Sequence, residues 1–122
     1  MSVKQAAVVT SNNISNGSGV SMQMLISAEE GPNFAMRRFT ILPGGSMPNH
    51  TNQVEHEQYV LSGSADIGIA GEVFQVKPGD VVYIPAQTSH WYQNTGDSPF
   101  VFLCLVPNKP DITTILEPDV SC

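Results

Sequence analysis

Three histidines, His50, His56 and His90, are the residues of this 122-residue chain whose type best suits binding chemistry. Neutral imidazole is the commonest protein donor to a divalent ion. If the three rings meet, they make an adequate site, because catalytic zinc commonly has three protein ligands and keeps its fourth position open. Iron or manganese would keep more positions free for water, dioxygen or a chelating substrate. Imidazoles bring no charge, so the ion would acidify bound water or hold an anionic substrate. Successive side chains of a strand alternate faces, which places Asn52 beside His50, Gln58 and Val60 beside His56, and Tyr92 and Asn94 beside His90. Asn52 is either a weak amide-oxygen ligand or a group that binds water next to the ligands. A lone histidine is more often a satisfied core residue than a ligand, so a vestigial set is the alternative reading.

Gln58, Arg37 and Tyr92 are the candidates for placing a substrate, and Met47, Gln58, Phe102 and Cys104 for lining its pocket. Arg37 shares a strand face with Ala35, Phe39 and Ile41, where a guanidinium needs a partner. That partner is either a structural ion pair or a substrate carboxylate. Met47, Phe102 and Tyr92 also read as ordinary barrel filling, and Cys104 as a small buried hydrophobe. Glu55 and Glu57 have the opposite parity to His56 and read as surface or subunit-contact carboxylates. No Ser-His-Asp order, phosphate loop or paired-cysteine zinc spacing occurs, so nucleophilic catalysis is unsupported.

The elements that must position these residues are strands. From Asn33 onward short β-type runs recur at 34–42, 55–62, 64–70, 72–76, 80–84, 89–94 and 99–106, each bounded by Gly, Pro, Asn or Asp. That rhythm predicts an all-β sandwich or barrel. Pro43-Gly44 and Pro78-Gly79 carry type II turn chemistry, and Ala70-Gly71 a weaker hairpin signal. The run 99–106 is apolar on both faces, which predicts burial on both: the barrel interior on one side and a second subunit on the other. The tail from Asn108 has no clear period and is expected to be extended or disordered.

Length allows one domain. Five Lys+Arg against eleven Asp+Glu give a net charge of -6, which leaves no basic surface for nucleic acid. No segment has the length of a secretory leader's apolar region or of a membrane span, so a cytoplasmic location is expected. Cys104 and Cys122 make no disulfide framework, and both are expected as thiols.

The spacing of these residues resembles the cupin superfamily. Gly44, five residues, His50-Thr51-Asn52, three residues, His56, six residues, Gly63 keeps every spacing of the first cupin motif while two ligand types change. Gly79, five residues, Pro85-Ala86-Gln87, two residues, His90, three residues, Asn94 matches the second, with Gln87 in place of a glycine. Glu55-His56-Glu57 is similar to the small single-domain cupins whose first motif reads His-x-His-Pro-Trp-Glu-His-Glu. There a histidine replaces the usual glutamate ligand and a four-histidine site results. Asn33 to Arg37 and Phe102 to Pro107 also resemble that subgroup, and the likeness covers about residues 34 to 106. This chain departs at Asn52, where the subgroup has its second histidine, and at Gln53-Val54, where it has Pro-Trp.

The resemblance implies a double-stranded β-helix, the cupin jelly-roll barrel, with an N-terminal segment 1–33 whose strands exchange in a homodimer, a core 34–107 and a tail 108–122. It implies one divalent metal ion (Mn, Fe, Zn, Ni or Cu) on His50, Asn52, His56 and His90, and a small organic substrate. The expected function is a mononuclear metal-dependent enzyme, oxygenase-like or an isomerase or lyase. The alternative is a non-catalytic module that binds or senses a small ligand or metal.

Overall fold

A computed structural model describes residues 1–116, so Cys122 lies outside the described residues. Its strands in chain order are β1 (Ser11–Asn13), β2 (Ser18–Ile26), β3 (Phe34–Thr51), β4 (His56–Ser62), β5 (Ala65–Ile69), β6 (Glu72–Val76), β7 (Val81–Ile84), β8 (His90–Gln93), β9 (Phe100–Pro107) and β10 (Thr114–Ile115). They form one curled sheet in the order β6-β5-β8-β3-β9-β4-β7, with β2 and β10 also on β3 and β1 on β2. The fold is the all-β double-stranded β-helix. Among the described residues no helix is long and apolar enough to cross a membrane.

β3 carries the chain from one half of the barrel to the other. Ala35 to Ile41 pair with β9 and β2, whereas Ser46 to His50 pair with β8 and β10. The strand expected to stop at residue 42 therefore continues to Thr51. Gly44 does adopt the positive φ of 79° that Pro43-Gly44 predicts, but the turn bends the strand instead of ending it. Asn94 locks that corner: its backbone exchanges hydrogen bonds with Gly44 and Gly45, and its Nδ2 donates to the carbonyls of Ile41 and Ser98. The other turns follow their chemistry. Pro78-Gly79 closes with the Asp80 N–H on the Lys77 carbonyl. Ala70 and Gly71 both take positive φ, the pattern of a type I′ hairpin between β5 and β6.

Alternation fills the interior. Phe39, Ile41, Val60, Ile67, Val82, Ile84, Phe100 and Phe102 are buried and in one cluster. On β9 the inward set Phe100, Phe102 and Cys104 is buried, while outward Val101 is buried and Leu103 and Leu105 are half-buried. The described tail does not drift away. Asp111 accepts the Gln53 N–H, the Leu116 N–H donates to the Asn49 carbonyl, and Thr114 and Ile115 pair with Thr51 and His50. The tail's first nine residues thus return to the strand that carries His50 and to Asn52 just beyond it.

Candidate metal and ligand site

Strands β3, β4, β8 and β9 deliver side chains to one cavity of about 180 Å³, which His50, Asn52, His56 and His90 line together with Met47, Gln58, Arg37, Tyr92, Phe102 and Cys104. All ten residues singled out from the sequence are therefore gathered there. Met47 and His50 have opposite parity, yet both face inward, because the pairing of β3 with β8 shifts register between them. Such a bulge lets two neighbouring residues reach one side. Ile14, Asn16, Phe39, Thr113 and Ile115 also line the cavity, and parity within the central strands gives no sign of the tail residues.

The imidazoles are neutral, and hydrogen bonds orient those of His50 and His90. His50 Nδ1 donates to the Pro48 carbonyl at 2.7 Å and His90 Nδ1 to the Thr88 carbonyl at 2.9 Å. Each bond runs to the carbonyl two residues back, and each leaves Nε2 as a lone-pair donor, the way ligand histidines are commonly held. The rings of His50 and His90 lie 4.1 Å apart, and those of His56 and His90 5.6 Å apart. Burial lowers the His56 pKa to about 3, helped by the Arg37 cation and His90. It lowers that of His90 to about 4, helped by His50. Burial also lowers His50, against the opposing pull of the Pro48 hydrogen bond and Asp111.

Among the described residues three buried acceptors find no partner: Nε2 of His90, Oδ1 of Asn52 and Oε1 of Gln58. The Asn52 amide is turned by the tail, since its Nδ2 donates to Asp111 Oδ2 at 3.0 Å and to Thr113 Oγ1 at 2.8 Å. These neutral nitrogen and oxygen donors suit a divalent ion in type. Among the described residues no three His, Cys, Asp or Glu stand in a closed coordination set. The side chains surround the cavity without converging on a single point.

Away from the histidines the cavity wall is an aromatic column. Arg37 lies 5.0 Å from the centroid of Phe39, Phe39 stacks on Phe102, Phe102 stacks on Tyr92, and Tyr92 meets His90 edge-on. The ion pair allowed for Arg37 does not form among the described residues. Its Nη2 donates to Cys104 Sγ at 3.3 Å and its Nε is buried without a partner. Gln58 Nε2 donates to the Tyr92 hydroxyl at 2.6 Å and lies 3.6 Å from Cys104 Sγ. Cys104 is a free, buried thiol. Burial, then Cys104, push the Tyr92 phenol well above its ordinary pKa, so it stays protonated. Glu57 is exposed on the outer face, and Glu55, also exposed, is the first cause of the raised pKa of Tyr83 there.

Residues 37–106 match the family model described as Cupin domain. An oxalate-binding protein of Thermotoga maritima is 32% identical over 111 residues, covering 85% of this chain and 92% of that one. An uncharacterized protein of Methanocaldococcus jannaschii is 37% identical over 81 residues, 63% of this chain, and the match spans 65% of that protein's length. Among solved structures, the polyketide cyclase RemF from Streptomyces resistomycificus superposes with a TM-score of 0.89 at 25% identity, covering 98% of this chain and 88% of that one.

Proposed function

The chain belongs to the cupin domain family, and on that basis we propose that it is a metal-dependent enzyme of the oxygenase-like or isomerase and lyase kind, acting on a small organic anion. His50, His56 and His90 would hold a divalent ion (Mn, Fe, Zn, Ni or Cu), with the Asn52 amide oxygen as a weak fourth donor. A bound ion would supply Lewis acidity there. The observation that carries this reading is the pairing of neutral imidazoles, two of them pre-oriented, with an arginine that has no carboxylate partner among the described residues, all in one cavity. Arg37 draws in the anionic group, Tyr92 and Gln58 position it, and the apolar column keeps water from the enclosed face. The similarity to a protein named for binding oxalate supports a small anion as ligand.

A non-catalytic binding module is the second reading, favoured by one observation: among the described residues no Asp or Glu lines the cavity to serve as acid or base. Elemental analysis of untagged protein beside His50→Ala, His56→Ala and His90→Ala tests the ion, and each variant should lose most of the metal. Equal content in all four samples removes the site. Screens for dioxygen uptake and isomerisation on metal-loaded protein then separate the two readings. Ligand-dependent thermal stabilisation without turnover supports the binding module. A homodimer joined through the outer face of β4, β7 and β9 is part of the same proposal. Exposed Tyr59, Val81 and Tyr83 lie there beside half-buried Leu103 and Leu105.

A further inference from the structure

Two polar atoms at the Arg37 end of the cavity are buried and have no partner among the described residues, and they have opposite requirements. Nε of Arg37 is a donor without an acceptor, and Oε1 of Gln58 is an acceptor without a donor. Gln58 is only 3% exposed. A buried polar group left unpaired costs about 1–3 kcal/mol. The two atoms do not satisfy each other, so among the described residues each is left open to a further partner. The Gln58 amide nitrogen donates to the Tyr92 hydroxyl and approaches Cys104, which leaves Oε1 as the end without a partner. Arg37 is held as firmly, by the Phe39 face on one side and Cys104 Sγ on the other.

We propose that these residues form a subsite for a hydroxy acid, in which Arg37 takes the carboxylate and Gln58 Oε1 accepts a hydrogen bond from the ligand's hydroxyl. The inference rests on the reading of this cavity as a substrate site, and it names the substrate class. A carboxylate alone satisfies Arg37 but brings no proton to Gln58, and a second carboxylate sets anionic oxygen against the Gln58 acceptor. Discrimination of this kind is strong because the wrong ligand leaves a buried group unpaired.

Calorimetric titration with L-lactate, propionate and malonate, on the protein loaded with Mn²⁺ and again after chelation, tests it. The chelated sample removes any contribution from the ion. L-lactate should bind at least tenfold more tightly than either of the others in both samples. Gln58→Leu should bring lactate down to the level of propionate, and Arg37→Met should weaken all three acids at least tenfold. Arg37→Lys, which keeps the charge, replaces Arg37→Met if that variant does not fold. Equal binding of lactate and propionate, a preference for malonate, a gap that survives Gln58→Leu, or no binding of any of the acids overturns the proposal. Loss of the histidine-dependent metal with the lactate preference intact would sink the metal reading and leave this one standing. Normal metal content without the preference does the reverse.

Discussion

The histidines show how burial decides what a residue can do. A solvated imidazole is half protonated near pH 6.5, but His56 and His90 titrate at about 3 and about 4, so both present lone pairs across the physiological range. Stability follows from the same displacement. Between the unfolded value and the folded ones the unfolded chain binds more protons, so the contribution is complete above pH 6.5 and is lost as pH falls toward 4 and below. Each unit of displacement corresponds to about 1.4 kcal/mol, and the two rings together should withdraw several kcal/mol. Urea unfolding of chelated protein should show a midpoint that drops from pH 7 to pH 4.5, with a shallower drop for His56→Gln. A midpoint independent of pH would contradict the burial of these rings. The types and spacing of the histidines were legible in the sequence, and so was their common cavity. The direction of the Asn52 amide was not, because it is set by Asp111 and Thr113, 59 and 61 positions away.

Among the elements, the turn before β8 positions His90 and carries a visible cost. The Thr88 N–H closes it onto the Pro85 carbonyl, and Gln87, its third residue, has φ of 61°. Left-handed backbone costs a side-chain-bearing residue roughly 1–2 kcal/mol relative to glycine's freedom. Part of any relief is offset by the larger unfolded-state entropy of glycine, about 0.5–1 kcal/mol. Gln87→Gly should therefore stabilise the chain by roughly 0.5 kcal/mol, read as a higher urea midpoint at unchanged slope. It keeps the backbone N–H that donates to the Asn52 carbonyl at 2.7 Å, so metal content should not change. A lower midpoint would show that the Gln87 side chain makes a contribution larger than its strain. The position of this turn was readable from the motif spacing. The length of β3 was not, since a Pro-Gly pair that ends one strand pairing begins another once β8 and Asn94 stand beside it.

At the scale of the molecule, the barrel leaves apolar surface on one outer face, where Val81 is 75%, Tyr83 54% and Tyr59 47% exposed. Tyr59 pairs with both Val81 and Leu103, which makes these residues one continuous row across β7, β4 and β9. Contiguous apolar surface rimmed by polar groups marks an interaction site. Light scattering should give twice the chain mass of 13.1 kDa, and Val81→Glu should lower it to the mass of one chain. A wild-type protein that scatters as a single chain would end the dimer proposal.

Residue order alone was enough to dictate the all-β class, the barrel, most turn positions and the strands that carry the three histidines, because these follow from local alternation, turn chemistry and fixed spacing. Which polar groups are left wanting a partner was settled only by the folded arrangement. Arg37 finds Cys104 across 67 positions instead of a carboxylate, Gln58 gives its nitrogen to Tyr92 across 34, and the tail folds back to turn Asn52. Satisfaction of a buried polar atom depends on what the rest of the chain brings within about 3 Å of it. That neighbourhood exists only after strands remote in sequence have closed around one cavity.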